Sequence, residues 1–186
     1  ARALRLGRRI YDNLRKAMSF ILAVHVPIAG LALMPFFFGM PILFGPMHIA
    51  FLEMVIDPVC SLVFEAETDE DGIMTRPPRK PEEPLFSGAT VLWSLVQGAL
   101  VFAVTATIFA FAPDYGLSSD QVRGLTFASL VFAIVALILV DRSRSSSILT
   151  AISRHNRALA LVLPIVGSVL AVTLFWQPAR DLFGFA

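Results

Sequence analysis

Several features that mark common classes of soluble protein are scarce or missing in this sequence. It has a single cysteine, Cys60, so a disulfide framework within the chain is excluded. Charged residues make up only 16% of the 186 positions and the net charge is +1, which gives no electrostatic reason to expect a nucleic-acid partner. The patterns of a secretory signal peptide, an internal repeat and a low-complexity tract are also missing.

Apolar residues are in excess and lie in long blocks. They make up 56% of the chain, and the mean hydropathy is +0.75. Five blocks have about the 20 residues that a helix needs to cross a bilayer core of about 30 Å; they lie near 17–38, 46–64, 87–112, 124–141 and 157–176. Because the blocks are continuous rather than alternating, they indicate helices and not barrel strands. The sequence predicts an all-α, polytopic transmembrane helix bundle with about five spans.

Basic residues are distributed unequally between the two sides of this predicted bundle. Thirteen of the fifteen Lys and Arg residues lie in 1–16, 65–86 and 142–157, which share one side if all five blocks span. Only Arg123 and Arg180 lie on the other side. Because cytoplasmic loops carry the excess of Lys and Arg, the N-terminus is predicted to be cytoplasmic. We expect an integral protein of a bacterial plasma membrane, with the lipid bilayer as its surroundings.

Two acidic residues lie within the second predicted span, HIAFLEMVIDPVCSLVF. Glu53 and Asp57 are four residues apart, so they share one helix face and can both point at one ion. An acid at the bilayer centre costs about 2.5 kcal/mol or more, and such residues usually face an ion path. The alternatives are pairing with an Arg or His, or two carboxyl groups that stay protonated. The pair predicts a site that handles cations or protons.

Prolines interrupt the first two predicted spans. Pro58 cannot donate to the carbonyl of Met54. Pro27 has the same effect on the carbonyl of Ala23. Broken helices at mid-membrane often supply backbone oxygens to cations, so both carbonyls are candidate ligands, with an ordinary proline kink as the alternative. His25 is a candidate ligand, a proton carrier or a hydrogen-bonded packing residue.

Other polar and small residues are interpreted as structural. The expectations are a solvated charge run at Asp69, Glu70 and Asp71, an interfacial His48, hydroxyls bonded to their own helix at Thr105, Thr107 and Ser129, and close helix packing at Gly167 and Ser168.

Three segments are familiar: GRRIYDNLRK at 7–16, the GMP turn at 39–41, and IMTRPPRKPEEPLFSG at 73–88. They resemble the stalk, the link between the fifth and sixth membrane helices, and the loop before the seventh helix in P-type cation-transporting ATPases of the calcium-pump-like, type II branch. The resemblance is continuous from about Arg8 to Gly88 and weaker over the last three spans, which resemble helices seven to nine. It implies a piece of a longer protein that lacks the family's tenth helix.

The resemblance also divides the chain and assigns residues. It implies a cytosolic stalk at 1–16, an ion-site helix pair at 17–64, a Pro-rich cytosolic loop at 65–86 and supporting helices at 87–186. Asp57 falls on the family's ion-binding aspartate of the sixth helix, and Glu53 falls on an asparagine ligand of calcium pumps. At the other matched positions this chain differs from the family. His25 stands where the family has an asparagine, Ile56 where it has a threonine, and Pro58 where it has a glycine. Ile28 and a residue near Ile134 stand where the family has glutamates. The resemblance therefore implies a single divalent cation or a proton-linked mode rather than two calcium ions.

The function implied by the resemblance is that of a membrane part of an ATP-driven cation pump. The family's phosphorylation motif, DKTGT, is absent, so this segment holds no catalytic or cofactor-binding residue of its own. ATP and Mg²⁺ would act in the full-length protein, together with its N-terminal membrane helices and its actuator, phosphorylation and nucleotide domains. The transported ion would be calcium, manganese, magnesium or a proton.

Two other classes of function fit some of these residues. A secondary cation or proton transporter, or a channel, would use the same acidic pair, but such transporters are usually built from internal repeats. A membrane scaffold without transport gives no reason for two acids beside a proline at mid-membrane.

Overall fold

The computed structural model describes residues 2–70, 72–77, 87–142 and 156–185, and in these ranges it is helical without a β-strand. The elements are α1 (Arg2–Phe38), α2 (Pro46–Pro58) with a π-helical segment (Val59–Val63), α3 (Gly88–Phe111) with a 3₁₀ turn (Ala112–Tyr115), α4 (Ser119–Asp141), α5 (Arg157–Phe175) and α6 (Gln177–Phe183). Five of the described helices are long and apolar enough to cross a membrane. The predicted all-α bundle of about five spans is therefore confirmed.

Helix α1 is much longer than a membrane span. Its 37 residues have a length of about 55 Å at 1.5 Å per residue, against about 30 Å for the hydrocarbon core. The surplus length lies in the basic N-terminal part, since the continuous apolar block begins near Ala17. We call Arg2–Lys16 the stalk; it continues into the first span without a break in the helix.

The most extensive helix contact joins α1 to α3 and depends on glycine. A Cβ atom on Gly98 would lie 2.4 Å from the Ala23 carbonyl oxygen. One on Gly30 would lie 2.5 Å from the Phe102 ring. Small residues let membrane helices approach closely, and both positions use this property.

Hydroxyl groups add hydrogen bonds within and between these helices. Ser19 of α1 and Ser94 of α3 are hydrogen-bonded to each other at 2.7 Å in the bundle interior. The predicted bonds to the same helix are confirmed for Thr105, Thr107 and Ser129. Close packing at Gly167 is not observed, because no described residue lies within 4 Å of a Cβ atom added there. Among the described residues, the close approach occurs at Gly98 instead.

Ion pairs join the stalk to the segment that follows the second span. Lys16 and Glu70 form a buried pair, and Arg5 pairs with Asp69. The expected solvated charge run is therefore wrong for Asp69 and Glu70, because basic side chains of α1 lie opposite them. Asp71 lies outside the described residues.

The stalk also holds the first residues of the Pro-rich loop. Arg8 donates to the carbonyl oxygens of Ile73 and Arg76, at 2.7 and 2.8 Å. The Arg76 guanidinium in turn donates to Asp12 at 2.8 Å. The rest of the loop, residues 78–86, lies outside the described ranges.

His48 lies at the opposite end of the bundle from the stalk and is almost fully buried. Its ring centroid is 5.2 to 5.4 Å from three phenylalanine rings, those of Phe127, Phe183 and Phe185. The Gly45 amide donates to its Nδ1 atom at 3.1 Å. The prediction of an interfacial His48 is wrong, because α6 and the residues after it cover the imidazole.

Candidate functional site

Helix α2 has two different faces in the bundle. Leu52, Val55 and Ile56 are buried and pack in the apolar core. Glu53 and Asp57 lie on the other face, and both are exposed with respect to the described residues. The spacing of four residues thus produces the shared face that the sequence predicts, and the acids do not turn into the core of this bundle.

The α-helical hydrogen bonding of the second span changes directly after Asp57. Pro58 is the last residue of α2, and the next five residues form a π-helical segment. The Val59 amide donates to the carbonyls of Val55 and Ile56, while Pro58 has no N–H for the carbonyl of Met54. Single π-helical turns inside α-helices often occur at functional sites. The Met54 carbonyl is thus left without its helical amide donor beside the acidic pair, as the sequence predicts.

Ser61 is a polar neighbour that sequence reasoning missed. Its hydroxyl donates to the Asp57 carbonyl at 2.7 Å, and the side chain is exposed on the same side of the span as the acids. Glu53, Asp57 and Ser61 are each four residues apart, so this spacing was available as a signal. The hydroxyl adds a third oxygen-bearing side chain to a stripe that already has two carboxylates.

His25 and Ala23 occupy different environments on α1. The His25 side chain is exposed, and its Nδ1 atom is 2.7 Å from the Ile21 carbonyl oxygen of its own helix. Ala23 is fully buried, and its carbonyl lies against Gly98 of α3. This placement favours a packing role for the Ala23 carbonyl.

The described residues do not by themselves form a complete cation site. They contain no group of three or more His, Cys, Asp or Glu side chains that could hold a metal ion. Calcium takes six to eight oxygen ligands and magnesium prefers six, so Glu53, Asp57 and the Met54 carbonyl would need further ligands. The acidic face is open, which leaves room for those ligands to come from another membrane element.

Two carboxylates on an uncovered face of a membrane helix are unfavourable if that face contacts lipid. Charged side chains in a bilayer almost always face a bundle interior or a water-filled cavity, because exposure to lipid costs about 2.5 kcal/mol or more for each. Such a face is stable only if another element covers it or water reaches it. The arrangement can then bind a cation, or exchange protons, between α2 and that element.

The chain is similar to known transport proteins over most of its length. Residues 41–186 match the family described as "Cation transporting ATPase, C-terminus". A calcium-transporting ATPase of Bacillus subtilis is 27% identical over 187 residues, which cover 97% of this chain and 20% of that protein. A probable cation-transporting ATPase F of Mycobacterium bovis is 30% identical over 143 residues, or 77% of this chain and 16% of that protein. A calcium-transporting ATPase 1 of Schizosaccharomyces pombe is 25% identical over 97% of this chain. The chain spans about a fifth or less of the length of these relatives.

Proposed function

Since the chain belongs to the cation-transporting ATPase family, whose C-terminal membrane part it matches, we propose that it supplies part of the ion-binding site and transport path of an ATP-driven cation pump. The observation that carries this proposal is the open acidic face of α2, where Glu53 and Asp57 lie beside a proline and a π-helical segment. A membrane scaffold has no use for such a face. A transport site needs charged ligands that a second element can cover and uncover.

Each residue of this face has a role in the proposed site. Asp57 is the principal ligand, and Glu53 is the second carboxylate, which binds the cation or takes up a proton. The Met54 carbonyl is available as a neutral ligand, because Pro58 donates no hydrogen bond to it. The remaining ligands come from membrane helices of the full-length protein, as does the covering of the face. His25 lies on the exposed side of α1 and is a weaker candidate ligand.

ATP hydrolysis belongs to other parts of the full-length protein, with ATP and Mg²⁺ bound there. The stalk is cytoplasmic in this proposal, in a bacterial plasma membrane, and it transmits the movements of the cytosolic domains. Its continuity with the first span supports this role, because a single helix of 37 residues links the basic end to the middle of the bundle. Coupling requires that the cation bind with different affinity in the two conformations of the pump.

We expect the cargo to be one divalent cation, calcium, manganese or magnesium, or a proton-linked exchange. All of these ions accept oxygen ligands. Measuring the ATPase activity of the purified full-length protein with each ion in turn identifies the cargo. Absence of stimulation by any of them, with an active enzyme, would argue against the proposal. A DKTGT motif upstream in the same reading frame distinguishes the pump from a secondary transporter that uses the same acids.

Replacing Glu53 by glutamine is expected to change the cation concentration for half-maximal ATPase stimulation, or its pH dependence, without abolishing stimulation. Glutamine keeps the size and one oxygen of the side chain but removes a charge and a proton acceptor. Cation titrations at several pH values measure the effect. Glu65→Gln, an exposed glutamate beyond the π-helical segment, is the matched control. Titrations and pH profiles identical to those of the unmodified protein would remove Glu53 from the site.

A further inference from the structure

Three polar side chains meet where the second span ends, and all are buried. Glu67 is 2% exposed, Arg142 is 1% exposed and Asn156 is 7% exposed. Arg142 Nε donates to Glu67 Oε1 at 2.6 Å, and Asn156 Nδ2 donates to the same oxygen. We call these residues the Glu67 cluster; it joins the segment after α2 to the end of α4 and the start of α5.

Asn156 uses nearly all of its hydrogen-bonding capacity. Besides the bond to Glu67, its Nδ2 group donates to the Val63 carbonyl at 2.9 Å. Its Oδ1 atom accepts from the Leu159 amide at 3.0 Å, which makes it the N-cap of α5. The Asn156 side chain therefore caps the N-terminus of the fifth span and also donates a hydrogen bond to the last residue of the π-helical segment.

The bond to Val63 connects the cluster to the acidic face. Val63 ends the segment that begins directly after Asp57 and Pro58, and its position constrains the whole segment. π-helical segments are rare and occur mostly as single turns inside α-helices, frequently at functional sites. Here the Val63 carbonyl at the end of the segment accepts a hydrogen bond from a side chain outside α2, that of Asn156.

We propose that the Glu67 cluster positions the acidic pair: Asn156 and Glu67 fix the end of the π-helical segment and thereby the direction in which Asp57 and Glu53 point. This inference rests on the cation-pump function proposed above. Functional side chains must be held to within about 0.5 Å of their working geometry, and a helix that is interrupted beside its ligands cannot provide this alone. Asn156 and Glu67 are thus positioning residues that do not touch the cation.

Two variants of the full-length protein separate this role from simple stabilisation. Asn156→Ser keeps an N-cap oxygen for α5 but removes both donated bonds. Asn156→Asp also keeps the cap and adds a carboxylate beside Glu67. Ser118→Ala is the matched control, because it removes the N-cap of α4 at the far end of the bundle and touches neither α2 nor the cluster.

The readouts are the cation concentration for half-maximal ATPase stimulation and the labelling rate of Cys60, followed by mass spectrometry of its peptide. Cys60 lies in the π-helical segment, is half-buried and lines an open groove of about 360 Å³, so its thiol reports the position of that segment. Both Asn156 variants are expected to raise the half-maximal concentration about tenfold, the scale seen when groups that orient a metal ligand are removed. Both should also label Cys60 several times faster, while Ser118→Ala changes neither quantity.

The outcomes distinguish this inference from the function on which it rests. Lower stability of the Asn156 variants, with unchanged cation titration and unchanged Cys60 labelling, would overturn the positioning role and leave the pump intact. If the Asn156→Asp protein does not accumulate, the same two measurements on the uncharged Asn156→Ser variant test the inference. Normal cation stimulation of Asp57→Asn, measured in parallel, would instead overturn the pump site and the positioning role together.

Discussion

Asp57→Asn is expected to abolish cation-stimulated ATP hydrolysis by the full-length protein. Asparagine has nearly the same shape and keeps one side-chain oxygen, so the change removes the charge while the packing of α2 is retained. Two opposite unit charges about 4 Å apart attract each other by about 4 kcal/mol at an effective dielectric constant near 20, and the attraction of a carboxylate for a divalent cation is stronger. Part of this is offset by the cost of desolvating the carboxylate. The loss in cation affinity should still be about a hundredfold or more.

Cation titrations of ATPase activity measure this loss, with Asp114→Asn as the matched control. Asp114 lies in the exposed 3₁₀ turn after α3, at the end of the bundle opposite the stalk. The same chemical change there should leave both the half-maximal cation concentration and the maximal rate unaltered. Stimulation of Asp57→Asn at the unmodified level would show that the cation binds elsewhere, and the assignment of the open face would fail.

The spans were predictable from the sequence because length and hydrophobicity determine them directly. A continuous run of about 20 apolar residues has no stable place other than the bilayer or a protein core. The five predicted blocks correspond to α1 through α5, with differences mainly where polar residues extend a helix. Helix α4 begins at Ser119 rather than near 124, because Ser118 and Gln121 form a capping box.

The environment of individual polar residues was less predictable, because it depends on which helices become neighbours. The sequence predicts that Glu70 belongs to a solvated charge run, yet Lys16 lies opposite it and both side chains are buried. The sequence predicts an interfacial His48, yet its ring packs against Phe183 and Phe185, which lie more than a hundred residues later in the chain. Local patterns carry no information about such distant contacts.

The candidate site was predictable in part for the same reasons. Helical periodicity places Glu53 and Asp57 on one face, and the covalent structure of Pro58 leaves the Met54 carbonyl without an amide donor. The π-helical segment was not predicted; the Val63 carbonyl at its end accepts a hydrogen bond from Asn156, 93 residues away, and local patterns do not show such a contact. The openness of the acidic face is also a tertiary property, which no single helix reveals.

Gly98→Ala is expected to destabilise the bundle strongly, even though alanine favours helices over glycine by about 1 kcal/mol. The new methyl group would lie 2.4 Å from the Ala23 carbonyl oxygen and 2.7 Å from Val26 Cβ, distances that require α1 and α3 to separate. Overpacking of this kind typically costs about 1–3 kcal/mol, and here the obstacle is backbone, which cannot rotate away. The fraction of full-length protein that remains monodisperse in detergent after heating measures the effect.

Gly167→Ala provides the control, because it makes the same substitution in a membrane helix where the added methyl meets no described atom within 4 Å. There only the gain in helix propensity remains, so its stability should equal or slightly exceed that of the unmodified protein. Equal behaviour of the two variants would mean that α1 and α3 do not approach at Gly98. A loss confined to Gly98→Ala would establish the contact, and with it the position of the first span relative to α3. Gly98 also lies against the Ala23 carbonyl, which Pro27 leaves without an amide donor, so the close approach occurs where α1 lacks one helical hydrogen bond, near His25.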